Sequence, residues 1–149
     1  MYEIEDTKEV TIIGFHIRRT DYIQKAKRDF KAPLPGSGYF NRALEYYRKK
    51  HKRPIFIVAS DDYLFVEREL SHHKDVFLAP GSSPCVDMAT LSMAKDSIIT
   101  LGSFGFWTGY LAGGEIVYPD VKFQKRYRFS RAIYEEVGLD FMTPLPVKC

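Results

Sequence analysis

The stretch Val10-Thr-Ile-Ile-Gly-Phe-His-Ile-Arg-Arg-Thr-Asp21 decides the fold. Its first eight residues, His16 apart, are apolar or β-branched, with the length of a strand and polar flanks. Its last residues, from His16 onward, are polar and charged. A strand that delivers such groups at its carboxyl end is what an open parallel sheet uses to bind ligands. Four further runs of the same kind follow, at 54–59, 76–79, 97–101 and 115–118.

Helical spacing fills the gaps between these runs. Phe40, Ala43, Leu44 and Tyr47 form one stripe, closed by the solvated cluster Arg48-Lys-Lys50. Leu64, Phe65 and Leu70 form a second. Val86, Ala89 and Met93 give a third, and Phe104, Trp107 and Leu111 a fourth. A closing helix is expected over 124–137, ending at Gly138, and the tail Thr143-Pro-Leu-Pro146 is expected to be extended. Residues 20–38 read as a long loop, either functional or a solvated insert. Strand and helix alternating four times predicts an α/β fold, a Rossmann-like parallel sheet covered on both faces, with strand order left open.

Composition narrows the class. The chain has 149 residues, 45% hydrophobic and 28% charged, so one domain over 1–149 is expected and disorder, collagen and disulfide-framework classes are out. The net charge of +3 suits an anionic ligand and is too mild to argue for nucleic acid. The two cysteines, Cys85 and Cys149, show no metal or redox spacing and read as free thiols. Residues 1–9 have no apolar run, so no signal peptide is expected. The longest uncharged stretch, 97–114, contains five glycines and reads as strand, turn and helix rather than a membrane span.

The unusual polar groups fall at the ends of the runs: His16, Arg18, Arg19 and Asp21 after the first, Ser60, Asp61 and Asp62 after the second, Gly102 and Ser103 after the fourth, Asp120 after the fifth. A guanidinium forks onto phosphate oxygens while keeping its charge. Strand alternation sends Arg18 and Arg19 to opposite faces, so one can meet a ligand while the other braces a carboxylate such as Asp21. Gly102-Ser103 before a helix offers free N–H groups and a positive dipole end to an anion, and Ser103 can equally cap that helix. Asp61 and Asp62 read as a cap and a first-turn acid, or as acceptors for ribose or sugar hydroxyls. Asp87, at a helix start, could accept paired bonds from a guanine. Walker, Gly-x-Ser-x-Gly and His-Glu-x-x-His motifs are absent. Gly36-Ser-Gly38 lacks the strand and third glycine of a dinucleotide fingerprint, and His72-His73 has no third ligand in view, so no metal is expected. The basic run from Arg42 to Arg53 fits a solvated helix end, without the aromatic platform of a nucleic-acid binder.

His16-Ile-Arg-Arg-Thr-Asp-Tyr22 resembles the first motif of α-1,2-, α-1,6- and protein O-fucosyltransferases. Three later segments are similar to the α-1,2 branch, glycosyltransferase family 11: Tyr39 to Tyr47, Ile55 to Asp62, and Asp87 to Thr100 running on through Gly102-Ser-Phe-Gly-Phe-Trp-Thr-Gly. The resemblance covers about three quarters of the chain and implies the nucleotide-binding C-terminal half of a GT-B-like enzyme. Such an enzyme transfers L-fucose from GDP-fucose to a galactose hydroxyl, inverting and without metal or other cofactor, at the Golgi membrane. By position, Arg18 would hold the β-phosphate, supported by Arg19. His16 and Asp87 would contact guanine, Asp62 would lie near the ribose, and Asp61 would belong to the same donor site. Gly102, Ser103 and Phe104 would hold the pyrophosphate, and Asp21 would serve as base or orient an arginine. The acceptor half and membrane anchor of the family are not matched, which makes a silent GDP-sugar-binding module the alternative. Phe106 stands where many relatives carry a second tryptophan beside Trp107.

Overall fold

In the computed structural model, residues 10–81 and 83–147 are described; the 1–9 stretch and Cys149 lie outside them. Six strands form one parallel sheet: β1 (Val10–Ile17), β2 (Arg53–Ser60), β3 (Val76–Leu78), β4 (Asp96–Ile98), β5 (Ile116–Asp120) and β6 (Met142–Pro146), in the order β3-β2-β1-β4-β5-β6. The order reverses between β1 and β4, the crevice at which such sheets bind ligands. β1 pairs with β2 along its whole length, Val10 opposite Arg53 through Ile17 opposite Ser60. Both strands therefore end at one level.

The intervening helices are α1 (Thr20–Lys25), α2 (Ser37–Lys50), α3 (Tyr63–Leu70), α4 (Pro84–Ser92), α5 (Ser103–Ala112) and α6 (Arg131–Glu136). α2 buries Tyr39, Phe40, Ala43, Leu44 and Tyr47, the stripe expected of it. Its tyrosines also bind backbone, Tyr39 donating to the Ile99 carbonyl at 2.6 Å and Tyr47 to the Ser97 carbonyl at 3.1 Å. With Phe15, Phe56, Val58, Val66 and Leu70 these side chains form the main core. On the other face, Phe106 and Tyr134 pack on Ile99, Ile116 and Tyr118.

Three expectations are corrected. The 20–38 loop is largely ordered: α1 runs into a π-helical turn, Ala26–Phe30, closed by Lys31 in the left-handed region at φ 46°. Its N terminus is held by Asp61 from another strand, a tertiary contact invisible in local sequence. The closing helix spans only Arg131–Glu136. Before it, Tyr127 packs against Phe30 at 4.6 Å and Phe123 at 4.7 Å, which pulls the chain out of helical geometry. Gly138, at φ 71°, ends the helix as expected. The tail is extended as expected, and it pairs with β5 as an edge strand, where Pro144 and Pro146 are tolerated. The last two apolar stripes face outward. Val86, Met93, Trp107 and Leu111 are exposed, whereas α4 buries Leu91 and α5 buries Gly105, Phe106, Thr108 and Gly109. Small residues let α5 lie against the sheet; a Cβ on Gly109 would sit 2.8 Å from Ile116 Cδ1.

Candidate functional site

A cleft of about 320 Å³ opens at the carboxyl ends of β1 and β2, beside the crevice. His16, Arg18, Asp61, Asp87 and Phe104 line it, together with Ser60, Tyr63, Gly81, Ser83 and Pro84. It thus collects six of the residues singled out in the sequence, Ser60 among them.

His16 is the last buried polar residue of β1 and stacks near Phe104, ring centroids 4.5 Å apart. Its Nδ1 is buried without a hydrogen-bond partner. Burial, with a smaller push from Arg18 and against the pull of Asp61, lowers its pKa to about 4. The ring is therefore neutral at pH 7, with its Nδ1 turned towards α5, 3.5 Å from where a Cβ on Gly105 would sit.

Arg18 is fixed from both ends. Its backbone N–H donates to the buried Thr100 hydroxyl at 2.9 Å, tying β1 to the loop after β4. Its guanidinium donates to Asp21 at 3.0 Å and stands 3.5 Å from Asp61. Asp61 itself accepts from the Arg19 N–H at 2.8 Å, the Thr20 N–H at 3.2 Å and the Thr20 hydroxyl. It therefore organises the β1–α1 turn while forming the lip of the cleft. Asp21 is partly exposed, and although its slight burial acts the other way, Arg18 and Lys25 hold its carboxyl below the usual range. A carboxylate so stabilised is a weak base and a good brace for Arg18.

Arg19 and Asp62 lie outside the cleft lining. The alternation expected from the strand is observed, but the arginine facing away braces Asp62 rather than Asp21: Arg19 Nε stands 3.4 Å from Asp62, and its guanidinium carbon is 3.5 Å from the Phe65 ring centroid. Asp62 caps α3, accepting from the Phe65 N–H at 3.2 Å.

At α5 the cap is Gly102, at φ 106°, and Ser103 is the exposed first residue of the helix, making no capping bond. The capping role offered for Ser103 is thus not realised. The Tyr22 hydroxyl covers Gly102 so closely that a Cβ there would lie 2.6 Å from it. The first-turn N–H groups of α5 have no intrahelical acceptor and face the rim.

Asp87 lies in the first turn of α4, whose N terminus is capped by Ser83 accepting from the Val86 N–H at 3.2 Å. Burial pushes the Asp87 carboxyl up. With the cap already supplied by Ser83, Asp87 is left to face the cleft. The sequence reading passed over Gly81, Ser83 and Pro84, although they follow β3 as the other site residues follow their strands. Tyr63, at the start of α3, carried no such signal. Among the described residues no group of three or more His, Cys, Asp or Glu side chains is placed to hold a metal, and no helix is long and apolar enough to cross a membrane. Cys85 is a free, exposed thiol.

The glycosyl transferase family 11 model matches residues 1–136. The chain is 37% identical over 147 residues to the galactoside 2-alpha-L-fucosyltransferase SEC1 of Bos taurus, covering 91% of this chain and 40% of that protein. It is 35% identical over 141 residues to the galactoside alpha-(1,2)-fucosyltransferase 1 of Ateles belzebuth, covering 87% of this chain and 38% of that protein. The chain thus spans about two fifths of the length of these curated relatives. Among solved structures it is similar to the fucosyltransferase NodZ from Bradyrhizobium, with a TM-score of 0.54 at 18% identity over 76% of this chain and 39% of that one. A NodZ alpha-1,6-fucosyltransferase soaked with GDP-fucose gives a TM-score of 0.50 at 16% identity, over 81% and 44%. At these identities the structural likeness concerns the fold.

Proposed function

The chain belongs to glycosyl transferase family 11, and from that premise we propose that it is the single GDP-fucose-binding domain of a galactoside α-1,2-fucosyltransferase, its donor seated in the cleft at the ends of β1 and β2. The observation that carries the reading is the convergence of Arg18, a neutral His16 and Asp87 on one cleft beside the α5 N terminus.

In this reading Asp87 and His16 meet the guanine, whose N1–H and amino group suit a carboxylate. Arg18, held by Asp21 and Asp61, reaches the β-phosphate. Gly102, Ser103 and Phe104 present backbone N–H groups to the pyrophosphate. Asp61 lies closer to the ribose position than Asp62, which is committed to its cap. Arg19 supports the turn.

Cleaving the fucose–phosphate bond develops positive charge on the sugar ring and negative charge on GDP. We assign stabilisation of the leaving pyrophosphate to Arg18 and the α5 N terminus rather than to a metal. Removing one such preorganised donor costs about 3–4 kcal/mol, roughly 10²–10³ in rate. Attack by a galactose hydroxyl from the face opposite the leaving group inverts the anomeric carbon: the new glycosidic bond forms as the fucose–phosphate bond breaks, and the hydroxyl proton passes to water or to the departing GDP. Asp21 acts as the brace of Arg18. The Golgi membrane is the compartment that goes with this activity, supported by the family resemblance.

The test is transfer of labelled fucose from GDP-fucose to a terminal galactoside, with and without EDTA. Transfer that survives chelation and falls at least about 10²-fold in Arg18→Ala is expected. GDP binding without any transfer would reduce the chain to a donor-binding module, and absence of both would overturn the reading.

A further inference from the structure

Two segments share one corner of the fold, residues 20–31 and 121–130. Together they carry eight basic residues against two acids, +6 in 22 residues, so the rest of the +3 chain is net −3. Aromatic packing joins them: Phe30 lies 5.6 Å from Phe123 and 4.6 Å from Tyr127. Lys31 and Lys122 line one cavity of about 470 Å³ at the ends of β5 and β6; Asp120 lines it too, its carboxylate paired with Arg131 at 2.9 Å, and the positive charge of Lys125 reaches Asp29.

The charge on this face is not neutralised internally. Arg28, Lys25 and Arg126 have carboxylate partners. Lys27, Lys31, Lys122 and Arg128 are exposed and form no ion pair among the described residues. Lys31 is also the one non-glycine described residue with positive φ, and it follows a π-helical turn. Irregular backbone of both kinds concentrates at binding sites.

The face adjoins the donor cleft. Tyr22, whose hydroxyl covers Gly102, packs 5.9 Å from Phe30. With guanine at Asp87 and the phosphates at Gly102, the sugar end of the donor points toward Tyr22 and the basic corner beyond it.

We propose that this corner is an acceptor subsite selecting glycans that carry an acidic group, a carboxylate or a sulfate. The proposal rests on the donor assignment above for its orientation. Neither acid is distinguished by lysine point charges, so both belong to one chemical class.

The test titrates the full chain, with and without GDP, against a neutral galactoside oligosaccharide, its sialylated form and its sulfated form. The acidic sugars should bind at least about tenfold more tightly than the neutral one, a difference of about 1.4 kcal/mol. The preference should shrink on raising salt. Lys31→Glu/Lys122→Glu should abolish it while leaving GDP affinity and thermal melting unchanged. If only one acidic form is preferred, the source of the acid is identified and the proposal holds. Equal binding of neutral and acidic sugars, or an unaltered preference in the double variant, overturns it. So does equally tight capture of anionic vesicles or an oligonucleotide of matched charge. A wild-type chain that ignores GDP yet prefers acidic sugars would sink the donor reading and leave the anion subsite standing.

Discussion

The imidazole of His16 lies against the ring of Phe104, centroids 4.5 Å apart and planes inclined by 41°, so the end of β1 and the first turn of α5 form one wall of the cleft. That contact keeps water from the imidazole and is part of why its pKa is lowered to about 4.

Stability should therefore fall as pH drops. An unfolded histidine takes up its proton near pH 6.5, whereas His16 resists until about 4. Between those values the unfolded state binds more protons, so His16 favours folding fully above 6.5, and this contribution is lost on descent towards 4. The swing is about 3 kcal/mol. Urea denaturation of His16→Gln across pH 7 to 4 should give a shallower decline than wild type; parallel curves would contradict the assignment.

Asp61 joins the site to the fold. Asp61→Ala removes the acceptor for the Arg19 and Thr20 N–H groups and one neighbour of Arg18. A loss of about 1–3 kcal/mol is expected in denaturant unfolding, together with weaker GDP binding by calorimetry. Unchanged stability would show that the turn holds itself.

Gly102→Ala meets two obstacles, a φ of 106° and the Tyr22 hydroxyl 2.6 Å from the new Cβ. The backbone part alone costs about 1–3 kcal/mol. Tyr22→Ala in the same chain should recover the clash but not the backbone strain, so the pair should be non-additive in thermal melts. Additive losses would mean that Tyr22 does not press on this turn.

Away from the cleft, Arg48 forks onto Asp75 with bonds of 2.8 and 2.7 Å, clamping the end of α2 to the start of β3. Both side chains are largely shielded, and Arg48 also holds Asp75 below the ordinary carboxylate range. A double-mutant cycle with Arg48→Ala and Asp75→Ala should show coupling of about 1–2 kcal/mol, and coupling near zero would contradict the clamp.

What the sequence revealed follows a physical line. β1, the α2 stripe and the strand-end rule depend on local pattern, and they point directly to His16, Arg18 and Asp61, whereas Asp87 is marked by its helix start and Phe104 by the family resemblance. Strand order was left open because sequence distance says nothing about which parallel neighbours meet. α1 was missed because its N terminus is capped by Asp61, some forty residues away in the chain. The inner face of α5 was misjudged because hydrophobic pattern favours Trp107 and Leu111, whereas close packing on the sheet favours Gly105 and Gly109. Arg19 and Asp62 share a motif with cleft residues, yet alternation and helix capping turn them elsewhere.

Calorimetric titration with GDP tests the central claim most directly. The account predicts stoichiometric binding of GDP, weaker binding of ADP for want of the guanine edge facing Asp87, and loss of the signal in Arg18→Ala. No heat with GDP, or equal affinity in wild type and Arg18→Ala, would contradict it.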